Sequence, residues 1–142
     1  MDRRAFIKSS CSACLLAAAG SLPEALLSCA PGAPYEADAP MGLLRIPESI
    51  FQETTVRIIR ARTFDSDIAL EKLGESSYRA LILRCTHADN ELTFTGSAFN
   101  CSLHGSTFDL QGTPTRGPAR LPLRQLPLEV SAGMVTVHLP AG

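Results

Sequence analysis

The stretch from Cys85 to His104 constrains the fold more than any other part of this chain. It contains Cys85-Thr86-His87 and, after thirteen further residues, Cys101-Ser102-Leu103-His104, so each half offers one thiol and one imidazole. A set of two sulfur and two nitrogen donors is typical of a protein metal site. The fold must therefore bring two short loops, distant in sequence, to a common point.

The composition favours an all-β fold. A chain of 142 residues is the length of one domain, and its ten glycines and ten prolines indicate many turns between short elements. Alternating apolar and polar residues, or short apolar runs between turn signals, predict strands. The predicted strands cover residues 42–47, 55–60, 67–70, 78–84, 91–94, 97–100, 126–130 and 134–139.

Two of these strands place the paired motifs. The segment 78–84 contains Ala80-Leu81-Ile82-Leu83, which is apolar on both faces and predicts a central strand that ends at Cys85. A hairpin turning at Thr95-Gly96 returns the chain to Cys101. The prolines of the segment 117–123 exclude a helix and predict a stiff loop covering the site.

The first 28 residues have the layout of an export signal. Arg3 and Arg4, with Phe6 two places on, resemble a twin-arginine signal, and the apolar run 11–22 follows. As a helix that run would span about 18 Å, against roughly 30 Å of membrane hydrocarbon. We therefore expect residues 1–28 to be removed, and no redox role for the Cys-x-x-Cys that Cys11 and Cys14 form within them.

Cys29 is a candidate lipidation site. The segment Leu26-Leu27-Ser28-Cys29-Ala30 resembles a lipoprotein cleavage box, in which the cysteine becomes the lipidated first residue; cleavage without a lipid is the alternative. Residues 29–41 hold several prolines and small or acidic side chains, which predict a flexible tether. These features predict a protein exported to the bacterial cell envelope or periplasm and anchored to a membrane.

The charge distribution excludes nucleic acid as a partner. The formal net charge is −1, and no basic block is present. Zinc is the first candidate for the metal site, although structural zinc sites usually take ligands in pairs of one type. Here each half of the motif mixes one cysteine with one histidine, which suits two thiolates on one iron and two imidazoles on another.

The chain resembles a Rieske iron–sulfur protein over about residues 42–139. The resemblance rests on Cys-Thr-His at 85–87, Cys-x-x-His-Gly-Ser at 101–106, Phe-Asp at 108–109 and Gly-Pro-Ala-x-x-Pro-Leu at 117–123. It implies an antiparallel β-sandwich over residues 42–142, with a small cluster-binding subdomain at about 84–123 inserted as two loops. It also implies one [2Fe–2S] cluster per chain.

The resemblance assigns roles to five residues. Cys85 and Cys101 would hold the buried iron, His87 and His104 would hold the outer iron, and the hydroxyl of Ser106 would donate to a cluster sulfur. The remaining histidine, His138, lies in a predicted terminal strand and is expected to be a surface or packing residue.

Three positions depart from the high-potential members of the family. The two cysteines that form a disulfide across the cluster there correspond to Asn90 and Leu103, and a tyrosine donor corresponds to Phe108. The bridge is therefore expected to be absent. Because Ser106 is kept and the tyrosine hydroxyl is lost, we expect an intermediate reduction potential. The interval from His87 to Cys101 is also a couple of residues shorter than usual.

The resemblance implies one-electron transfer between redox proteins such as a cytochrome, a quinol-oxidising complex or a molybdenum enzyme. No nucleophile, general base or substrate pocket is evident, so we expect an electron-transfer protein and not an enzyme on its own. Alternatives are a Rieske subunit of a larger oxidoreductase, the ferredoxin component of a ring-hydroxylating oxygenase, and a zinc-binding structural module.

Overall fold

Residues 32–140, which the computed structural model of the protein describes, form twelve β-strands and two short 3₁₀ turns at Pro40–Gly42 and Glu48–Phe51. This confirms the all-β prediction. Among these residues, no helix is long and apolar enough to cross a membrane. The strands are β1 (Tyr35–Ala37), β2 (Leu43–Pro47), β3 (Val56–Ala61), β4 (Asp67–Lys72), β5 (Tyr78–Ile82), β6 (Leu92–Phe94), β7 (Phe99–Cys101), β8 (Thr107–Phe108), β9 (Pro114–Arg116), β10 (Gln125–Leu126), β11 (Leu128–Ser131) and β12 (Met134–His138).

The strands pair into three sheets. A five-stranded sheet has the order β1-β3-β4-β5-β10, a three-stranded sheet has the order β11-β12-β2, and a four-stranded sheet has the order β6-β7-β8-β9. Neighbouring strands run antiparallel except for β1 and β3, which are parallel. The predicted antiparallel sandwich is therefore present, and the four-stranded sheet carries the second cysteine motif on β7.

Two hydrophobic cores lie on opposite faces of the five-stranded sheet. Because side chains alternate along a strand, Ile68 and Leu70 of β4 enter one core while Ala69 between them enters the other. The base core is the cluster of Ala39, Leu44, Ile46, Phe51, Ile59, Ala61, Ile68, Leu70, Tyr78, Ala80, Ile82, Leu126, Val135 and Val137. The site core is the cluster of Ala69, Leu81, Leu83, Cys85, Leu92, Phe99, Cys101, Phe108, Ala119 and Leu123.

Strand β5 contributes to both cores, as its apolar sequence predicts. Ala80 and Ile82 belong to the base core, whereas Leu81 and Leu83 belong to the site core. The strand lies between β4 and β10 in the five-stranded sheet. It therefore fixes the start of the first cysteine motif to a strand that is packed on both faces.

The segment before β2 differs from the flexible tether predicted over residues 29–41. Tyr35–Ala37 forms β1 and pairs in register with β3. Ala39 is only 3% exposed and belongs to the base core, and Ala37 packs against that core. The prolines and small residues predicted flexibility. In the structure, however, Ala37 and Ala39 both pack on the base core, and β1 pairs with β3 at the edge of the five-stranded sheet.

The predicted signal segment 1–28 and its cysteines, together with the candidate lipidation site Cys29, lie outside the described residues.

Candidate metal centre

The two cysteine motifs form two loops, each of which follows a strand of a different sheet. Loop 1 is residues 85–90, which follow β5, and loop 2 is residues 101–106, which begin at the last residue of β7. The hairpin of β6 and β7 connects them, with Leu92 opposite Cys101, and a bridge between Arg84 and Glu91 closes the base of loop 1. The adjacency predicted from the hairpin is present.

Both loops repeat one backbone hydrogen-bond pattern. In loop 1 the Cys85 N–H donates to the Asn90 carbonyl at 2.8 Å, and the Asp89 N–H donates to the Cys85 carbonyl at 2.9 Å. In loop 2 the Cys101 N–H donates to the Ser106 carbonyl at 2.8 Å, and the Gly105 N–H donates to the Cys101 carbonyl at 3.0 Å. Each cysteine thus begins a loop closed by the residues four and five positions later.

The fourth residue after each cysteine has a left-handed backbone. Asp89 has φ 53° and Gly105 has φ 76°. Glycine adopts this conformation without strain and aspartate is one of the side chains that tolerate it. Loop 1 has aspartate and loop 2 has glycine at this position. The sequence therefore did not indicate that the two loops share one backbone conformation.

The two thiols are buried side by side. Cys85 is 2% exposed, Cys101 is 3% exposed, and neither forms a disulfide. Burial raises the pKa of Cys101, but hydrogen bonds from the backbone N–H groups of His104 and Leu103 and from the Cys85 and Asn90 side chains outweigh it, so the pKa lies below its usual value. Such donors favour a thiolate, the form that ligates metals.

The two imidazoles lie outside the thiols. His87 and His104 are both exposed, and their ring centroids are 5.0 Å apart with the ring planes at 86°. Within residues 32–140, no three His, Cys, Asp or Glu side chains converge on one point as a single-metal site. The four side chains instead form an inner pair of thiols and an outer pair of imidazoles.

Ser106 and the third loop cover the site. Ser106 is completely buried, and its hydroxyl oxygen accepts a hydrogen bond from the Ala119 N–H at 3.0 Å. The Thr86 hydroxyl donates to the Leu121 carbonyl at 2.7 Å. The third loop, residues 117–123, is therefore hydrogen-bonded to both ligand loops, as a covering loop is expected to be.

Arg84 fixes loop 1 to the rest of the domain, a role that its sequence context did not suggest. Its Nε donates to the Ser66 hydroxyl at 2.8 Å, and its two terminal nitrogens donate to the carbonyls of Asp89 and Asp65, each at 2.9 Å. A guanidinium is planar and its N–H donors point in fixed directions. These bonds therefore fix the position of loop 1 relative to the turn before β4. The one signal in the sequence is an arginine immediately before the first cysteine.

The positions that depart from the family pattern have distinct surroundings. Asn90 is half-buried and its side chain faces loop 2, Leu103 is 54% exposed, and Phe108 is completely buried. His138 lies on β12, paired with Leu43, and its Nε2 is 3.8 Å from a Glu129 carboxylate oxygen. It therefore lies in the three-stranded sheet and does not join the two ligand loops.

Comparison with protein families gives one match. The model of the Rieske [2Fe-2S] domain matches residues 49–127, a span that includes both ligand loops and the third loop. A search of curated proteins gave no significant match.

Several solved structures are similar to this chain. One belongs to the complex of reduced oxygenase and oxidized ferredoxin in carbazole 1,9a-dioxygenase, with 27% identity, coverage of 68% of this chain and 93% of the other, and a TM-score of 0.49. The ferredoxin of carbazole 1,9a-dioxygenase from Nocardioides aromaticivorans IC177 has 22% identity, coverage of 67% and 94%, and a TM-score of 0.47. The cyanobacterial plasma membrane Rieske protein PetC3 from Synechocystis PCC 6803 has 22% identity, coverage of 69% and 87%, and a TM-score of 0.45.

Proposed function

Since the chain belongs to the Rieske [2Fe-2S] domain family, we propose that it is an exported, membrane-anchored carrier that passes single electrons between two redox proteins. The family carries a [2Fe–2S] cluster and transfers electrons, and it is not a catalyst by itself. What the family leaves open is the location of this chain and the identity of its partners.

The observation that carries the proposal is the sorting of the four side chains. The buried Cys85 and Cys101 thiols fit an inner iron, and the exposed His87 and His104 imidazoles fit an outer iron. A cluster with two protein ligands on each iron needs two such pairs and not four donors around one point. We therefore assign these four residues as the ligands, with Ser106 as a donor to a cluster sulfur.

The cluster supplies one-electron redox chemistry when bound. The protein excludes water from the thiolate side through the site core and the third loop, and leaves the imidazole side open to a partner. Two neutral imidazoles in place of two thiolates remove negative charge, which raises the potential above that of plant-type ferredoxins. Electrons would enter and leave through the exposed histidines.

Spectroscopy of the isolated protein tests this proposal. A coloured preparation with two irons per chain, and a Rieske-type electron paramagnetic resonance signal after dithionite reduction, is the expected result. Protein-film voltammetry should give a potential between those of the oxygenase ferredoxins and the quinol-oxidising subunits. A colourless protein that contains zinc and no iron would establish the structural zinc module instead.

Export and anchoring are tested separately from the cluster. The twin-arginine-like start and the box that ends in Cys29 support both. Fractionation should find a processed protein with the membrane, and Cys29→Ser should release it. An unprocessed cytoplasmic protein would support the oxygenase-ferredoxin alternative, and co-purification with a large subunit would support the oxidoreductase subunit.

Ser106→Ala is expected to lower the reduction potential. The Ser106 oxygen accepts the Ala119 N–H, so its own O–H is free to donate a hydrogen bond to a cluster sulfur, and such a donor would stabilise the more negative reduced state. We expect the equilibrium constant for reduction to fall about tenfold, which is about 59 mV for one electron. The orphaned N–H should also cost about 1–3 kcal/mol of stability.

Voltammetry and thermal unfolding measure the two effects of this substitution. The exposed Ser102 of the same loop provides the control, and Ser102→Ala should change neither quantity. An unchanged potential in a stably folded Ser106→Ala protein would contradict the role assigned to the hydroxyl.

The third loop and the residues on either side of it are basic. Residues 110–128 contain three arginines and no acidic residue. Arg120 is exposed and lies between Ala119 and Leu121, the two residues that bond to the ligand loops. None of the three has a carboxylate within salt-bridge distance among residues 32–140. The third loop is therefore locally positive, although the whole chain has a formal charge of −1.

Arg120→Glu is expected to slow oxidation of the reduced protein by ferricyanide, an anionic oxidant, by about three- to tenfold at low ionic strength. The physical reason is that the substitution reverses a charge on the third loop, which is hydrogen-bonded to both ligand loops. Stopped-flow kinetics measures the rate, and added salt should reduce the difference. Arg45→Glu provides the control because Arg45 is an exposed arginine on β2. Equal slowing in both variants would contradict a local effect.

A further inference from the structure

The residue five positions after the cysteine has an equivalent place in each ligand loop. In loop 1 this residue is Asn90 and in loop 2 it is Ser106, and the carbonyl of each accepts the N–H of its own cysteine. Ser106 is completely buried, and its hydroxyl oxygen accepts the Ala119 N–H. The Asn90 side chain therefore occupies the place in loop 1 that the Ser106 side chain occupies in loop 2.

The Asn90 side chain crosses from loop 1 to loop 2. Its Nδ2 donates to the Glu91 carbonyl at 2.9 Å and lies 3.7 Å from the Cys101 sulfur. Both neighbours of this nitrogen are acceptors, so the amide orientation with nitrogen toward them is the one that satisfies the hydrogen bonds. The two N–H bonds of one amide group thus go to the backbone immediately after loop 1 and to the thiol of loop 2.

We propose that Asn90 is a positioning residue that donates a hydrogen bond to the Cys101 thiolate and thereby raises the reduction potential. The proposal rests on the cluster assignment above. Reduction adds one electron from a donor redox protein; no bond breaks, and the added negative charge is shared with the cysteine sulfurs. A donor to one of those sulfurs stabilises the reduced state more than the oxidised state.

This role gives each loop one donor at the same position. Ser106 supplies a hydroxyl from loop 2 and Asn90 supplies an amide from loop 1, while the phenyl ring of Phe108 has no donor to supply. Asn90 also corresponds to one of the two cysteines that form the disulfide across the cluster in high-potential members of the family. The connection between the loops is then a hydrogen bond from an amide to a ligand sulfur, in place of a covalent bridge.

Protein-film voltammetry of Asn90→Leu in the full chain tests the proposal. Leucine has a similar volume and no donor, so the equilibrium constant for reduction should fall about three- to tenfold, and tenfold corresponds to about 59 mV. Resonance Raman spectra should show a shifted iron–sulfur(cysteine) stretch. Asn100→Leu is the matched control, because Asn100 is the only other asparagine of the chain, is exposed, and directly precedes Cys101.

Asn90→Ala is the second variant, in case leucine prevents assembly of the cluster. Alanine also has no side-chain donor, so it should give a fall of similar size. An unchanged potential and an unchanged stretch in either cluster-loaded variant would overturn this inference and leave the proposed function standing. A wild-type protein without the Rieske signal would overturn both.

Discussion

The Cys101→Ser variant is expected to contain no [2Fe–2S] cluster while the base core remains folded. Cys101 would supply one of only two protein ligands to the inner iron, and a serine oxygen is a harder and more basic donor than a thiolate. The residue is 3% exposed, so water has little access to complete the coordination. Iron analysis, visible absorption and electron paramagnetic resonance should all show a complete loss.

The fold should survive this substitution because serine is close to cysteine in size and Cys101 is not part of the base core. Burial of the hydroxyl should cost about 1–3 kcal/mol, which circular dichroism during thermal unfolding measures. Cys29→Ser is the control, since that cysteine is expected to carry a lipid and no iron. Full iron content and an unchanged resonance signal in Cys101→Ser would contradict the ligand assignment.

The sequence predicted the fold class and the strands that position the site, because those depend on local patterns. The run Ala80-Leu81-Ile82-Leu83 predicted a strand buried on both faces, and β5 does contribute alternate residues to the two cores. The strand β1 was missed because its pairing depends on the open edge of β3, which is a property of the folded sheet. The short strands β8 to β10 were missed because isolated two- and three-residue segments carry almost no periodic signal.

The motif spacing predicted that two Cys and two His side chains lie close together but not how the loops are held. The two pairs of Cys and His were evident in the residues, and the structure brings them together as buried thiols and exposed imidazoles. The repeated backbone pattern was hidden because Asp89 in loop 1 has the same left-handed conformation as Gly105 in loop 2. The bonds of Arg84 to Asp65 and Ser66 join residues nearly twenty positions apart, and no local pattern indicates such pairs.

Both cores stabilise the domain, and the site core also forms the environment of the cluster because it contains both thiols. Both share β4 and β5, so the start of loop 1 is attached to a strand that is packed on both faces. Electron transfer benefits from such an arrangement, because a rigid support keeps the ligand positions similar in both oxidation states. The site core should therefore affect cluster retention more strongly than the base core does.

Phe108→Ala is expected to destabilise the domain and to release the cluster faster. Phe108 is completely buried in the site core, opposite Phe99 across the pairing of β7 and β8. Removing a buried phenyl ring costs about 3–5 kcal/mol, which corresponds to a melting temperature lower by roughly 12–20 °C in a domain of this size. The cavity would open in the core that contains both thiols, so water would reach the ligand sulfurs more readily. Thermal unfolding and the rate of loss of visible absorption measure the two effects.

Phe94→Ala is the matched control for this substitution. Phe94 is only partly buried and packs at the edge of the same core, with its ring centroid 5.5 Å from that of Phe99. The loss of stability should be less than half of that for Phe108→Ala, because the truncated side chain leaves space that solvent can fill. A Phe108→Ala protein that bleaches no faster than the wild type would show that the site core does not shield the cluster, and equal stability losses in the two variants would show that the burial of Phe108 does not determine the cost of truncating it.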